Sequence, residues 1–385
     1  MSIYLDYNAS APIAPEVLEC MIDVYKNHTG NADSRTHDYG EDVRGLVEAA
    51  RGQAANLFGV KKDEVFFTSG ATESNNIAIL GLKDYGLKSG RRHIVTTAIE
   101  HKAVLGAARH LESEGFTLEE VNPGQDGRVS AADILSRVRK DTLLVSVMHV
   151  NNETGAIQPV DEIGAALSAT DVLFHTDATQ SAGKLVPEIR NLHFNLLSFS
   201  GHKIHGPQGV GGLILRKKRY RLPPVSPIMF GGTQEHGIRP GTLPAALIAG
   251  LGRACEIAGE KYASNQRRNA GIKSRLLDLI ASSGVTYELN GSLEHGVPTT
   301  LNASFLDISS EALMLATKQY CGISNGSACT SSNYQHSHVL SAMGLSSERI
   351  ESAVRISWDA DIDTDELFAE FANLLDRIRR LSVSN

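Results

Sequence analysis

The 385-residue sequence predicts an α/β protein built on a largely parallel sheet. Three observations carry the prediction. Short apolar, β-branched runs recur through the first half. Helix-period segments lie between several of them. Unusual polar residues close five of the runs, where an open α/β sheet binds its ligands. The runs are "EVFFTS" (64–69), "HIVTTAIE" (93–100), "LLVSVMHV" (143–150), "VLFHTD" (172–177), "LLSFS" (196–200) and "GGLILR" (211–216). Near-continuous apolarity over this length suits strands buried on both faces.

The intervening helices follow from spacing. Val43, Leu46, Val47, Ala50, Ala54 and Leu57 share a face over 40–58. Val104, Ala108 and Leu111 do so over 102–114, and Val160, Ile163 and Leu167 over 159–170. A loop-rich stretch, 221–244, is followed by a long helical segment at 245–281. Beyond it the pattern is that of a smaller α+β unit: "TTLNASF" (299–305) as a strand, a helix at 309–320, and a last amphipathic helix over 363–381. In that last helix Leu367, Phe371, Leu374, Leu375, Ile378 and Leu381 keep helical spacing. The expected division is a large domain, 15–255, and a small one made of 1–14 and 256–385, with the N-terminus packing on the small unit.

The formal net charge is −7, with acids and bases interspersed, and no apolar run approaches the roughly 20 residues that span a bilayer. "MSIYLDYNASAP" has neither the basic nor the apolar region of a signal peptide. Four cysteines (Cys20, Cys255, Cys321, Cys329) do not make a disulfide framework for a chain this long. The expectation is a reduced, cytoplasmic protein that meets neither nucleic acid nor membrane directly.

Chemistry gathers at the run ends. "TSGATESNN" (68–76) leaves a strand and opens a helix, so small residues there present backbone N–H groups to an anion. By itself this is more often an ordinary helix cap. His101 closes "AIEH" and Asn151 follows "MHV". Asp177 and Gln180 follow "LFHT", and "SFSGHK" brings Ser200, His202 and Lys203. Each has an ordinary reading. His101 would be a structural hydrogen-bonder, and Asp177 a helix cap, although a carboxylate entering an apolar sheet is costly unless paired. The set as a whole has one ligand that needs all of it, pyridoxal 5′-phosphate. A lysine forms a Schiff base with its aldehyde, an acid pairs with its ring nitrogen, and helix-terminal donors hold its phosphate.

The same stretches carry a resemblance. "LDYNASAP", "FTSGATESNN", "AIEHKAV", "VSVMHVNNETG", "HTDATQ", "SFSGHKIHGP", "RPGTLP" and "SNGSACTSS" stand in the order seen in the NifS/IscS-like cysteine desulfurases, over residues 3 to about 380. These are class V, fold-type I pyridoxal-phosphate enzymes. The resemblance implies a mainly parallel seven-stranded sheet between helices, a smaller α+β domain, and a homodimer. It implies that Lys203 binds the cofactor covalently. His101 would stack on the ring and move protons, Asp177 would pair with the ring nitrogen, and Gln180 with the ring hydroxyl. Ala71, Thr72, Ser200 and His202 would bind the phosphate, joined by Thr242 from the partner subunit. Asn151, also placed against the cofactor, and Arg355 in "AVRISW" would bind the substrate carboxylate. Arginine suits this because its fork matches a carboxylate in two bonds. Cys329, among glycine, serine and alanine that suggest an adaptable loop, would be the nucleophile that takes sulfur from L-cysteine as a persulfide and hands it to an acceptor protein.

Cys20 and Cys255 read as buried apolar thiols, Cys321 as the end of a helix, and no cysteine or histidine spacing suggests a metal site. The sequence departs from the family pattern at Ala32-Asp33, Gln208 and Pro240. It also ends at "RLSVSN", where housekeeping members continue into a tail that docks the iron–sulfur scaffold protein. That shifts the expected acceptor toward a specialised pathway such as nitrogenase cluster assembly, tRNA thiolation or DNA phosphorothioation. The competing readings are a selenocysteine lyase, a class V aminotransferase, which does not need Cys329, and a non-catalytic scaffold.

Overall fold

The structure is a computed structural model that describes residues 2–325 and 336–382. Its strands are β1 (Ile3–Tyr4), β2 (Val65–Thr68), β3 (His93–Thr97), β4 (Thr117–Val121), β5 (Thr142–Ser146), β6 (Leu173–Asp177), β7 (Leu196–Ser200), β8 (Gly211–Leu215), β9 (Tyr287–Leu289), β10 (Thr300–Phe305), β11 (Cys321–Gly322) and β12 (Ala353–Ser357). Seven of them form the central sheet in the order β2-β8-β7-β6-β5-β3-β4. Only β8 runs against its neighbours. β2 is antiparallel to β8 and β8 to β7, so β2 points the same way as β7 and the parallel strands beyond it. All the strand ends named from sequence therefore open on one edge.

Helices cover both faces, and the strands show why. In β2, Val65 and Phe67 face one layer and Phe66 the other; β5, β7 and β8 divide the same way, Val145 against Leu144, Leu197 and Phe199 against Leu196, Ile214 against Leu213 and Leu215. This is the period-two alternation of a pleated strand with an apolar layer on each side. The first layer is closed by the helices Asp38–Phe58 and Ala245–Ser282, the second by Ala71–Leu80 and Lys102–Ser113. Phe58 meets Phe199 with ring centroids 4.5 Å apart.

β4 has no counterpart in the sequence reading. It is an edge strand, "TLEEV", with only Val121 buried, so its charged outer positions hide the apolar signal while suiting an edge that must not pair further. The runs 93–100 and 143–150 also end earlier as strands than their apolarity suggests, at Thr97 and Ser146. The buried residues beyond these points form the loops that carry His101 and Asn151.

A second core gathers residues of the smaller unit: β10 sits between β12 and β9 in an antiparallel sheet, and Leu367, Phe371, Leu374, Leu375 and Ile378 of the helix Thr364–Ser382 pack with Trp358 and Phe305. The helix Ala245–Ser282 serves both cores, giving Ile248, Leu251 and Ala254 to the first and Ile272, Leu276 and Ile280 to the second. The N-terminus joins the second core: β1 pairs with β11, and Ile3 and Leu5 are buried there.

Candidate active site

Residues 6–10 form the hub of the site. The Asn8 side chain donates to the Asn152 carbonyl (3.2 Å) and to Thr300 Oγ1 (3.0 Å), and its backbone N–H donates to Ser357 Oγ (2.9 Å). Its carbonyl accepts from Gln180 Nε2 (3.0 Å) and from Lys203 Nζ (2.5 Å), and Lys203 also donates to the Ala9 carbonyl (2.6 Å). The N-terminal segment thus links the loop after β7 to the strand β12. Lys203 is aimed by the short helical turn Gly201–Lys203, after which His205 adopts a left-handed backbone (φ 60°). For a non-glycine residue this is sparsely populated, and here it is over-determined. His205 Nε2 pairs with Asp359 (3.0 Å), its Nδ1 bonds the Pro12 carbonyl (2.9 Å), and its own carbonyl accepts from Ala14 N–H (2.9 Å).

Asp177 ends β6 and is 4% exposed. Asn75 Nδ2 donates to Oδ2 (2.7 Å) and Thr179 N–H to Oδ1 (2.9 Å), and no cation pairs with it among the described residues. The turn it opens is not a helix start, so the capping role is not the one observed. Beneath it His175 lies between the Ser146 hydroxyl (2.8 Å) and the Ser198 hydroxyl (3.0 Å), and burial pushes its pKa down to about 4.

His101 caps the helix Lys102–Ser113, its Nδ1 accepting from Ala103 N–H (3.1 Å). That fixes the neutral ring as the Nε2–H tautomer. Burial lowers its pKa; Asp177 opposes the shift and Lys203 adds to it. His202 touches Ser10 Oγ (3.3 Å), and burial with the nearby Lys203 charge holds it at about 4. Asn151 is fully buried and its carboxamide is engaged in its own loop. Oδ1 accepts from Glu153 N–H, Thr154 N–H and the Thr154 hydroxyl, and Nδ2 donates to the Ile99 carbonyl.

The helix Ala71–Leu80 begins at Gly70 (φ 145°), which offers its first turn no side-chain cap. Ser200, at the end of β7, lies beside it, its Oγ 3.4 Å from where a Gly70 Cβ would stand. Ala71 is half-buried and Thr72 exposed. Arg239 holds this turn by pairing with Glu73 (3.0 Å), while Thr242, three residues on, is exposed. Of the departures from the family pattern, Asp33 accepts from Gln234 Nε2 (2.7 Å) and Gln208 donates to Ser10 Oγ (3.2 Å), so both are built into loops around the site.

Arg355, on β12, is 4% exposed. Its Nη1 donates to the Asn152 carbonyl (3.0 Å) and Nη2 to Asp6 Oδ1 (2.6 Å), whereas its buried Nε has no partner. Cys329 lies outside the described residues. The chain on either side is tied to the site: Ser324 by backbone bonds to Arg355 and a hydroxyl bond to Asp6 (3.0 Å), Ser337 by a hydroxyl bond to Glu153 (2.5 Å), and His338 by donating to the Glu100 carbonyl (3.0 Å). Burial raises Cys255 and Cys321 to about 12, which leaves both as inert thiols at neutral pH, and raises Cys20 as well.

Several residues at the site carried no role in the sequence reading: Asp6, Asn8, Asn75, Glu153 and His175. Only Asn75 had a local cue, its place one turn into the helix that opens at "SGAT". The others act through partners more than twenty residues away.

A group with anionic, cationic and hydroxyl features fits these residues. Asn8 Oδ1, Asn75 Oδ1, Thr179 Oγ1 and Gln180 Oε1 are buried without partners around Asp177, itself without a cation. Buried polar atoms are rarely left so, and several together mark a ligand's place. With a lysine after β7 and an uncapped helix start after β2 at the same edge, the sheet has the donor set of a pyridoxal-phosphate-dependent enzyme.

The comparisons agree. The class-V aminotransferase family model matches residues 3–367. The cysteine desulfurase IscS of Escherichia coli, like that of Cronobacter sakazakii, is 44% identical over 360 residues, 93% of this chain and 88% of that protein. Among solved structures, a NifS-like protein superposes with a TM-score of 0.90 at 34% identity, covering 98% of this chain and 99% of that one. DndA from Streptomyces lividans gives 0.81 at 43% identity, over 91% and 98%. The chain belongs to the class-V aminotransferase family and, within it, to the pyridoxal-phosphate-dependent cysteine desulfurases.

Proposed function

We propose that the chain works as a cytoplasmic homodimer that takes sulfur from L-cysteine onto Cys329 as a persulfide and passes it to an acceptor protein, leaving L-alanine. The observation that carries this reading is Asp177, a buried carboxylate without a cation, ringed by unpartnered polar atoms and facing the same sheet edge as Lys203.

The residues that would hold pyridoxal phosphate are Lys203 at its aldehyde, Asp177 at its ring nitrogen and Gln180 at its ring hydroxyl. Ala71, Thr72, Ser200 and His202 would surround its phosphate, with Thr242 supplied by the partner protomer. Bound there, the cofactor supplies an electron sink that acidifies the substrate Cα–H and weakens the bond to sulfur. Asp177 keeps the ring nitrogen protonated, which a carboxylate does best when buried and held from behind by Asn75. The neutral ring of His101 would stack without adding charge, and its Nε2–H can give a proton and later take it back. Lys203 Nζ takes the Cα proton and later returns it. Arg355 binds the substrate carboxylate through its unpartnered Nε, while Asn151 builds the loop whose Asn152 carbonyl steadies that guanidinium. Cys329 attacks the substrate sulfur as a thiolate. The S–S bond forms as the C–S bond breaks, the electron pair stays with the alanine fragment, and a proton completes it.

We also propose 15–255 as the large domain and 1–14 with 256–385 as the small one, because the two apolar cores divide near that boundary of the long helix. Cysteine as the substrate is supported by a similar solved structure, SspA in complex with cysteine, at 35% identity and a TM-score of 0.80 over 92% of this chain and 98% of that one. The test is Cys329→Ser. The variant should keep the cofactor's visible absorbance and its response to L-cysteine, yet release no sulfide. Continued sulfide release at the unmodified rate would remove Cys329 from the reaction.

A further inference from the structure

Asp6 stands outside the residues that would touch cofactor or substrate, yet one of its oxygens serves two of the site's parts. Oδ1 accepts from Arg355 Nη2 at 2.6 Å and from Ser324 Oγ at 3.0 Å. Ser324 and Arg355 are themselves paired through their backbones, N–H to carbonyl in both directions (2.6 and 3.3 Å). The guanidinium is almost fully buried, at 4% side-chain exposure, and Asp6 is nearly so, at 16%. No other carboxylate pairs with Arg355 among the described residues. Asp6 is therefore its resident counter-ion, and a substrate carboxylate arriving at Nε would be the second anion on one cation.

We infer that Asp6 is a positioning residue: it sets how strongly Arg355 holds the amino-acid carboxylate, and through Ser324 it links that recognition to the chain leading to Cys329. Two effects follow, of opposite sign. Two carboxylates on one buried guanidinium repel each other, so Asp6 weakens substrate binding. The short charged bond also fixes the plane of the guanidinium and holds Ser324 against it, so Asp6 speeds the step that needs both in place. The inference rests on the reading that Arg355 binds the substrate carboxylate.

The experiment titrates the cofactor-loaded Cys329→Ser protein, expected not to turn over, with L-cysteine and with cysteamine, which has the same amine and thiol but no carboxylate. Binding is read from the cofactor's visible absorbance, with and without Asp6→Asn. The expected result is a fall of at least fivefold in the apparent Kd for L-cysteine, with that for cysteamine unchanged within twofold. In the Cys329 background, Asp6→Asn should lower kcat at least tenfold. Loss of general structure would weaken both ligands together. An L-cysteine Kd that is unchanged or raised, or a cysteamine Kd that moves by the same factor, overturns the inference. Arg355→Lys separates the two readings. If it leaves L-cysteine affinity intact, the assignment of Arg355 fails and takes this inference with it; if it weakens L-cysteine alone while Asp6→Asn does not tighten it, only the role of Asp6 fails. Should Asp6→Asn not fold, Asp6→Glu keeps the charge and displaces it. It should lower kcat with L-cysteine Kd within twofold, and a tighter Kd there would count against the account.

Discussion

Single residues at this site owe their chemistry to burial. Lys203 is held by two carbonyls of the N-terminal segment, and in the proposed reading it is the amine that attaches the cofactor. Lys203→Ala should lose the cofactor's imine absorbance and lower turnover below detection, with the fold retained by circular dichroism. Glu100, beside His101, is fully buried, and burial raises its pKa from 4.5 to about 8. Its Oε1 accepts from Met148 N–H and the Thr97 hydroxyl (both 2.8 Å), while Oε2 has no partner. The folded protein therefore keeps a proton on Glu100 that the unfolded chain releases above pH 4.5. Stability falls as pH rises from about 4.5 to about 8, by an amount on the order of a few kcal/mol. Glu100→Gln should remove that slope, so its melting temperature should gain on the unmodified protein's between pH 6 and pH 9. Parallel pH profiles would show that Glu100 ionises as an ordinary carboxyl.

Elements show how far local pattern reaches. The central strands and the longest helices were legible because burial on both faces, or on one stripe, writes its period into the sequence. The helix 363–381 was expected from spacing and is found at Thr364–Ser382. β4 was not legible, since an exposed edge keeps charged side chains, and neither was the capless helix Pro15–Asn27, whose buried positions are only Val17 and Val24. Phe199, 0% exposed against Phe58, lies in the strand that ends at Ser200; Phe199→Ala should cost about 3–5 kcal/mol by chemical denaturation. The His205–Asp359 pair joins the lysine loop to the chain after β12. Burial opposes ionisation of Asp359, but His205 holds it down to about 2; burial lowers His205, and Asp359 raises it above its ordinary range. The aspartate's share of stability is present above pH 3.8 and lost as pH falls through about 2. The histidine's is full below 6.5 and fades as pH rises through its raised value. Asp359→Asn should therefore destabilise by roughly 2–4 kcal/mol near pH 6 and by less at pH 9, measured by denaturant titration.

Across the whole molecule, the site is assembled from segments that the sequence keeps far apart. The run-end residues were readable because a parallel sheet gathers its strand ends at one edge, so order along the chain was enough to expect Asp177, Ser200 and Lys203 at that edge. Asp6 and Asn8 were not assigned roles, because their partners are Arg355, Ser324, Thr300 and Ser357, and nothing local announces a contact across three hundred residues. In the proposed reaction, sulfur leaves cysteine for Cys329. The measurement that tests it most directly is the intact mass of the cofactor-loaded protein after exposure to L-cysteine, with Cys329→Ser beside it. One added sulfur per chain is expected, removed by a reducing thiol and absent from the variant. An unmodified mass while alanine and sulfide accumulate, or the same added sulfur on Cys329→Ser, would contradict it.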